Sequence, residues 1–255
     1  MSATLEELPR AAYRPETPWR PWPAVAVVLV ASVAPMLVGL LGLLAENNGL
    51  VGADGAIQTD RIPSLSSPFV VLQMIAGQLL SLAIIWAAAG WKGARGETLR
   101  LLPPQTGWIE AAGYGVLLIA LIGPVELLLY HLAGIELFTD GRWILDGLQS
   151  PTWWAVIIAA VVLAPLWEEI TFRGFLLSAL AKSRLGYWPA ALVSSGLWTL
   201  LHVGYSWPGL VSVFLAGLGM SWIMLRTGSM RAVVVAHAVV NAFSLTVISL
   251  FAPAS

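Results

Sequence analysis

Cysteine is absent from the 255-residue chain, which excludes disulfides, thiolate zinc sites and thiol nucleophiles. Charge is also scarce: Asp, Glu, Lys and Arg make up 11% of the residues, against about 25% in an ordinary soluble domain. The 13 basic and 14 acidic residues leave a formal net charge of -1, so no basic surplus exists to attract nucleic acid. There is no internal repeat, low-complexity tract or dividing linker. What is plentiful is apolar: 58% of residues are hydrophobic and 13 are tryptophan, which excludes a water-soluble globule and a disordered chain alike.

A bilayer core about 30 Å thick needs roughly 20 apolar residues in a helix. Seven runs meet that pattern, from Pro23 to Ala45, Pro68 to Trp91, Trp108 to Tyr130, Trp153 to Ala181, Tyr187 to Val203, Leu210 to Leu225 and Ala232 to Phe251. The expected fold is an all-α, polytopic transmembrane bundle of about seven to eight helices. Its single membrane domain covers 23–255, after a Pro-rich, loosely ordered tail over 1–22. The first run follows Arg10, Arg14 and Arg20 but exceeds the h-region of a signal peptide, so it reads as a retained helix. Pro165 lies inside the long fourth run, where it predicts a kink or two shorter helices.

The distribution of Lys and Arg fixes an expected orientation. Arg10, Arg14, Arg20, Lys92, Arg95, Arg100, Lys182, Arg184, Arg226 and Arg231 fall on one side if the seven runs all cross. The other side receives Arg61 and Arg142 beside the acids Glu46, Asp54, Asp60, Glu136, Asp140 and Asp146. This predicts a multi-pass protein of a bacterial cytoplasmic membrane, with the N-terminus cytoplasmic and the C-terminus outside. Trp19, Trp22, Trp91, Trp108, Trp153, Trp154, Trp188 and Trp207 sit at run ends as interfacial anchors. Gly39 with Gly42, and Ala216, Gly217, Gly219 and Ser221, are small residues suited to close helix contacts.

A charge inside a bilayer costs at least about 2.5 to 3.5 kcal/mol on insertion scales, so each one asks for a reason. Glu110 reads as an interfacial acid and His131 as a solvated turn residue. Glu126 lies deep enough to need a partner and is assigned a supporting role. In the fourth run, Glu169 and Arg173 are four apart and share a helix face, whereas Glu168 points about 100° away. Glu169 is thereby neutralised and Glu168 left free, although a purely structural ion pair remains the competing reading. His202 lies in the fifth run, four residues after Trp198, and the seventh carries His237 and Asn241 on one face. At about 1.5 Å per residue, Glu168 and His202 lie about 21 and 24 Å from their basic ends, but His237 only about 9 Å. Tilt, snorkelling of Arg231 or a deeper helix start would reconcile them.

This set suits hydrolysis. A carboxylate in a low-dielectric pocket takes a proton from water, a histidine positions that water, and a His–Asn pair donates to the oxyanion of an amide carbonyl. The same residues suit zinc, since Glu168, His202 and His237 supply one oxygen and two nitrogens and leave a place for water. From the residues alone both mechanisms stand open.

Glu-Glu-x-x-x-Arg at Glu168, Glu169 and Arg173, aromatic-x-x-x-His at Trp198 and His202, and His-x-x-x-Asn at His237 and Asn241 occur in that order. Together they resemble the CAAX protease and bacteriocin-processing (CPBP, or abortive infection) family of intramembrane endopeptidases, over about residues 153–245. The resemblance implies a helical bundle with a cavity open to cytosol and membrane, in which a membrane-associated polypeptide, lipidated substrates included, is cut. It assigns Glu168 as the base, His202 as its partner, and His237 with Asn241 as oxyanion stabilisers. Glu169, Arg173 and Trp198 then support the site. It implies a metal-free glutamate hydrolase with no cofactor, and zinc as the alternative. Trp198 departs from the Phe usual at that place, and the seven runs from the eight spans of the eukaryotic prenyl proteases. The competing functions are a non-catalytic membrane scaffold or immunity-type protein and, more remotely, a proton-coupled transporter. Oligomeric state is unread.

Overall fold

A computed structural model describes residues 13–45, 67–101 and 106–252; Arg10, Glu46, Asp54, Asp60 and Arg61 lie outside them. Among the described residues there are nine helices and no strands: α1 (Pro21–Ala45), α2 (Pro68–Trp91), α3 (Arg95–Thr98), α4 (Trp108–Ala133), α5 (Arg142–Leu148), α6 (Trp153–Ala181), α7 (Tyr187–Thr199), α8 (Trp207–Thr227) and α9 (Met230–Phe251). The architecture is a polytopic helical bundle. Six helices, α1, α2, α4, α6, α8 and α9, are long and apolar enough to cross a membrane.

The fifth run departs from expectation. Its helix, α7, has only 13 residues, about 20 Å at 1.5 Å per residue, and residues 200–206 are not helical. Yet the run still travels the length of the bundle beside α8. The Tyr187 hydroxyl donates to the Ser221 carbonyl at 2.5 Å, Ser195 packs where a Cβ on Gly217 would lie, and Ser206 reaches Asp140. In the turn that follows, Gly204 has φ +95°, a conformation that side chains with a Cβ disfavour.

The fourth run is neither sharply broken nor split. Helix α6 is continuous, but it winds as a π-helix over Ile158–Leu163 and Ile170–Leu176, flanking an α-helical turn at Ala164–Glu169. Pro165 is the second residue of that middle piece, and its missing N–H leaves the carbonyl of Ala160, five residues earlier, without a backbone donor. Side chains of neighbouring helices donate to carbonyls along these widened turns. Gln78 of α2 donates to the Ala159 carbonyl at 3.3 Å, Asn241 of α9 to Ala160 at 2.8 Å, and Ser194 of α7 to Phe172 at 2.9 Å.

The loops sort to two ends as the charge pattern anticipates. One end joins the segments of Arg14, Arg100, Lys182 and Arg231: Tyr13 bonds Ser178, Lys182 donates to the Thr17 carbonyl, and the Met230 N–H to the Arg100 carbonyl. The other end holds Glu136, Asp140 and Arg142. From Tyr13 onward the tail is packed, not loose; Tyr13 and Thr17 are buried. Among the small residues, Gly217 and Gly219 meet neighbours closely, but Gly39 faces open space.

Candidate active site

Helices α6 and α9, with the turn that follows α7, bring Glu168, Glu169, His202 and His237 together. In α6, Glu169 and Arg173 are fully buried and pair at 3.2 Å, one helical turn apart. The Arg173 guanidinium also lies over the Trp198 ring, 4.4 Å from its centroid. Glu169 holds a second partner that the sequence did not disclose: His237 Nδ1 lies 2.7 Å from its Oε1. A carboxylate only accepts, so Nδ1 carries the hydrogen and the other ring nitrogen, Nε2, is turned toward Glu168 at 3.9 Å. Buried, Glu169 therefore braces both a guanidinium and an imidazole.

Glu168 is turned away from that pair and keeps 14% side-chain exposure. Its Oε2 accepts from the Trp198 indole N–H at 2.8 Å. Trp198, whose ring meets those of His202 and His237 edge-on at 5.0 and 5.5 Å, thus joins all three groups. Phenylalanine at this place would keep the wall and lose the hydrogen bond. His202 is not on a helix but on the 200–206 turn. Its Nδ1 lies 3.2 Å from the Trp198 carbonyl, an acceptor, so its Nε2 is left with a free lone pair. Its ring is flanked on the other side by Tyr205, at 5.2 Å. Leu200, Val203 and Gly204 beside it are exposed, so the site opens where the helix ends.

The disagreement in depth does not keep the two groups apart, since His237 Nε2 lies 3.9 Å from Glu168 Oε2. The π-helical winding over Ile170–Leu176 shortens the path from Glu168 to Lys182, since it fits more residues into each turn.

The other candidates have partners or exposure of their own. Asn241 is engaged with α6 through Ala160. Glu110 accepts from the Tyr114 hydroxyl on an exposed face, and His131 is exposed in the last turn of α4. Glu126 is one turn from Tyr130 and feels the charge of Asp140, at the end of the bundle where Tyr205 flanks His202. That end also holds a cluster the sequence reading missed, Tyr130, Asp140 and Ser206; Ser206 is 66 residues from Asp140, and the three form no motif. Among the described residues no three of His, Cys, Asp and Glu converge to hold a metal ion.

Residues 150–243 match the family model described as Type II CAAX prenyl endopeptidase Rce1-like. The CPBP resemblance is shown for this stretch. The Rce1-like stretch holds every site residue from Glu168 to Asn241, and supports the fold of an intramembrane protease of the CAAX type. A UPF0177 protein, YxdF, of Lactococcus lactis subsp. lactis (strain IL1403) is 27% identical over 89 residues, covering 35% of this chain. The match spans about half, 48%, of that relative's length. No solved structure matches.

Proposed function

We propose that this chain is a metal-free intramembrane peptidase acting on a membrane-associated polypeptide, lipidated proteins included. The observation that carries this reading is the meeting of Glu168, His202 and His237 around Trp198, from three separate elements. A water held between Glu168 and His202 Nε2 attacks the amide carbonyl carbon as Glu168 takes its proton. The carbonyl oxygen becomes an oxyanion, stabilised by His237 through Nε2–H and by the second Nδ2 hydrogen of Asn241. Because Nδ1 of His237 already donates to Glu169, Nε2 donates only as part of an imidazolium, which the two glutamates face. Collapse breaks the C–N bond, and Glu168 returns its proton to the leaving amine. Glu169 and Arg173 hold His237 and Trp198 in place and touch no substrate. The setting in this reading is a bacterial cytoplasmic membrane with the N-terminus and the basic end inside.

The second reading is a non-catalytic scaffold of the same fold, favoured by the engagement of Asn241 with Ala160. One experiment separates the two: mass-spectrometric mapping of new protein termini in membranes carrying the wild-type chain or Glu168→Gln at matched levels. Termini found only with wild type support the peptidase and give the cut site. Indistinguishable maps, with both proteins folded, transfer the reading to the scaffold.

A further inference from the structure

We infer that Asp140, outside the Rce1-like stretch and at the far end of the bundle from the basic loops, is a positioning residue for His202. It acts by clasping the end of the turn on which that histidine is carried. Residues 200–206 lack the repeating hydrogen bonds of a helix. His202 itself is held by its N–H to the Thr199 carbonyl, by its carbonyl to the Tyr205 N–H, and by its ring to the Trp198 carbonyl. These bonds are all local to the turn and its preceding helix, so the place where the turn rejoins the bundle has to be fixed by something else.

Asp140 supplies that fixture. Its Oδ1 accepts from the Ser206 N–H at 2.7 Å, and its Oδ2 from the Ser206 hydroxyl at 2.8 Å and from the Tyr130 hydroxyl of α4. Ser206 is also the N-cap of α8 and accepts from the Gly209 N–H at 3.4 Å, a common way to satisfy a first-turn donor. The carboxylate sits so close to the first turn of α8 that a Cβ at Gly209 would overlap its Oδ2. Asp140 is itself anchored: its carbonyl accepts from the Trp143 indole at 2.8 Å, and the adjacent Gly141 packs on Ile248 of α9. Helix α4 and the start of α8 thus meet at one carboxylate, with α5 and α9 against the backbone beside it, and its two bonds to Ser206 set where the His202 turn ends.

An asparagine keeps one acceptor and turns an N–H₂ toward the donors, so Asp140→Asn breaks the clasp with little change in volume. Ser206→Ala removes the hydroxyl, whereas Ser206→Thr keeps it. The kinetic consequence rests on the peptidase reading: displacement of a positioning group by about 1 Å can cost about 10²-fold in rate, so kcat falls 10- to 100-fold with KM nearly unchanged.

The deciding experiment reads the histidines directly. The chain has three, so the protein labelled with 13C,15N-histidine and purified in detergent gives ring signals assignable by single His→Gln replacements. In Asp140→Asn and Ser206→Ala the His202 signal and its pH titration move or broaden, those of His237 stay, and Ser206→Thr matches wild type. An unchanged His202 signal in the folded variants overturns the inference, as does an equal displacement of His237, which would mean general loosening. If Asp140→Asn does not fold, Ser206→Ala decides alone. A selective His202 displacement in a protein that cleaves nothing leaves the clasp standing and removes the peptidase reading instead.

Discussion

Asn241 donates from Nδ2 to the carbonyl of Ala160 at 2.8 Å, and the residue that makes this bond necessary is Pro165. In the π-helical winding of Ile158–Leu163, bonds run from residue i+5 back to i, as from the Ala164 N–H to the Ala159 carbonyl. The corresponding donor for Ala160 is residue 165, a proline without an N–H. Asn241 replaces it from another helix, and in doing so fixes α9 against α6 one turn from His237. Removing the donor with Asn241→Ala leaves the carbonyl unmet, at about 1–3 kcal/mol. Pro165→Ala restores an N–H. The cost of Asn241→Ala should therefore shrink by 1 kcal/mol or more, roughly, in the Pro165→Ala background, read from thermal melts of the four proteins in detergent. Equal costs in both backgrounds would separate Asn241 from the proline.

Adjacent glutamates should respond differently to the same change. Glu169 is fully buried between Arg173 and His237, so Glu169→Gln leaves a buried guanidinium without its counter-charge, a loss of about 3–5 kcal/mol. Glu168 is partly exposed and accepts one bond, from Trp198, which a glutamine carbonyl can also accept. Glu168→Gln should melt within about 1 kcal/mol of wild type and yet cleave nothing. Melting and cleavage assays on the two variants would test this. A Glu168→Gln protein that cleaves at the wild-type rate would remove the base from the mechanism.

The parts of this architecture that were legible in the sequence are those written as periodicity and charge. The long apolar runs located six helices, the Lys and Arg count sorted the loops to two ends, and the four-residue spacing paired Glu169 with Arg173. What escaped was set by tertiary contact. The π windings around Pro165 are met by Gln78, Asn241 and Ser194, which donate to carbonyls of α6 from three other helices. The early end of α7 lies inside an uninterrupted apolar run, so hydropathy passed straight through it. Glu169 bonds to a histidine 68 residues away, and Asp140 to a serine 66 residues away; neither separation has a local signature.

Tyr13 offers a test of the packed N-terminal segment. Its hydroxyl lies 3.1 Å from Ser178 Oγ in a buried site, and burial pushes its pKa from 10.0 up to about 12, against smaller lowering effects of Ser178 and Arg100. The folded protein therefore holds this proton more tightly than the unfolded chain. The stabilisation is complete below pH 10, declines as pH rises above the unfolded value and is lost on passing about 12. Melting temperature followed from pH 9 to 12 should fall less steeply in Tyr13→Phe than in wild type. Parallel curves would mean that the segment is not docked through this group.

Two glycines of α4 separate close packing from helix propensity. A Cβ at Gly115 would lie 2.7 Å from both the Ala236 carbonyl and Val239 Cβ of α9, whereas at Gly113 nothing stands within 4 Å. Because α9 also carries His237, spreading the α4–α9 pair would move that histidine as well as open the bundle. Gly115→Ala should cost about 1–3 kcal/mol through overpacking and lower cleavage. Gly113→Ala, freed of that clash, should gain up to about 1 kcal/mol from reduced chain entropy and better helix propensity. Melting curves of the two variants in the same detergent decide the matter: opposite signs place the helix contact at Gly115, and matching signs would deny it.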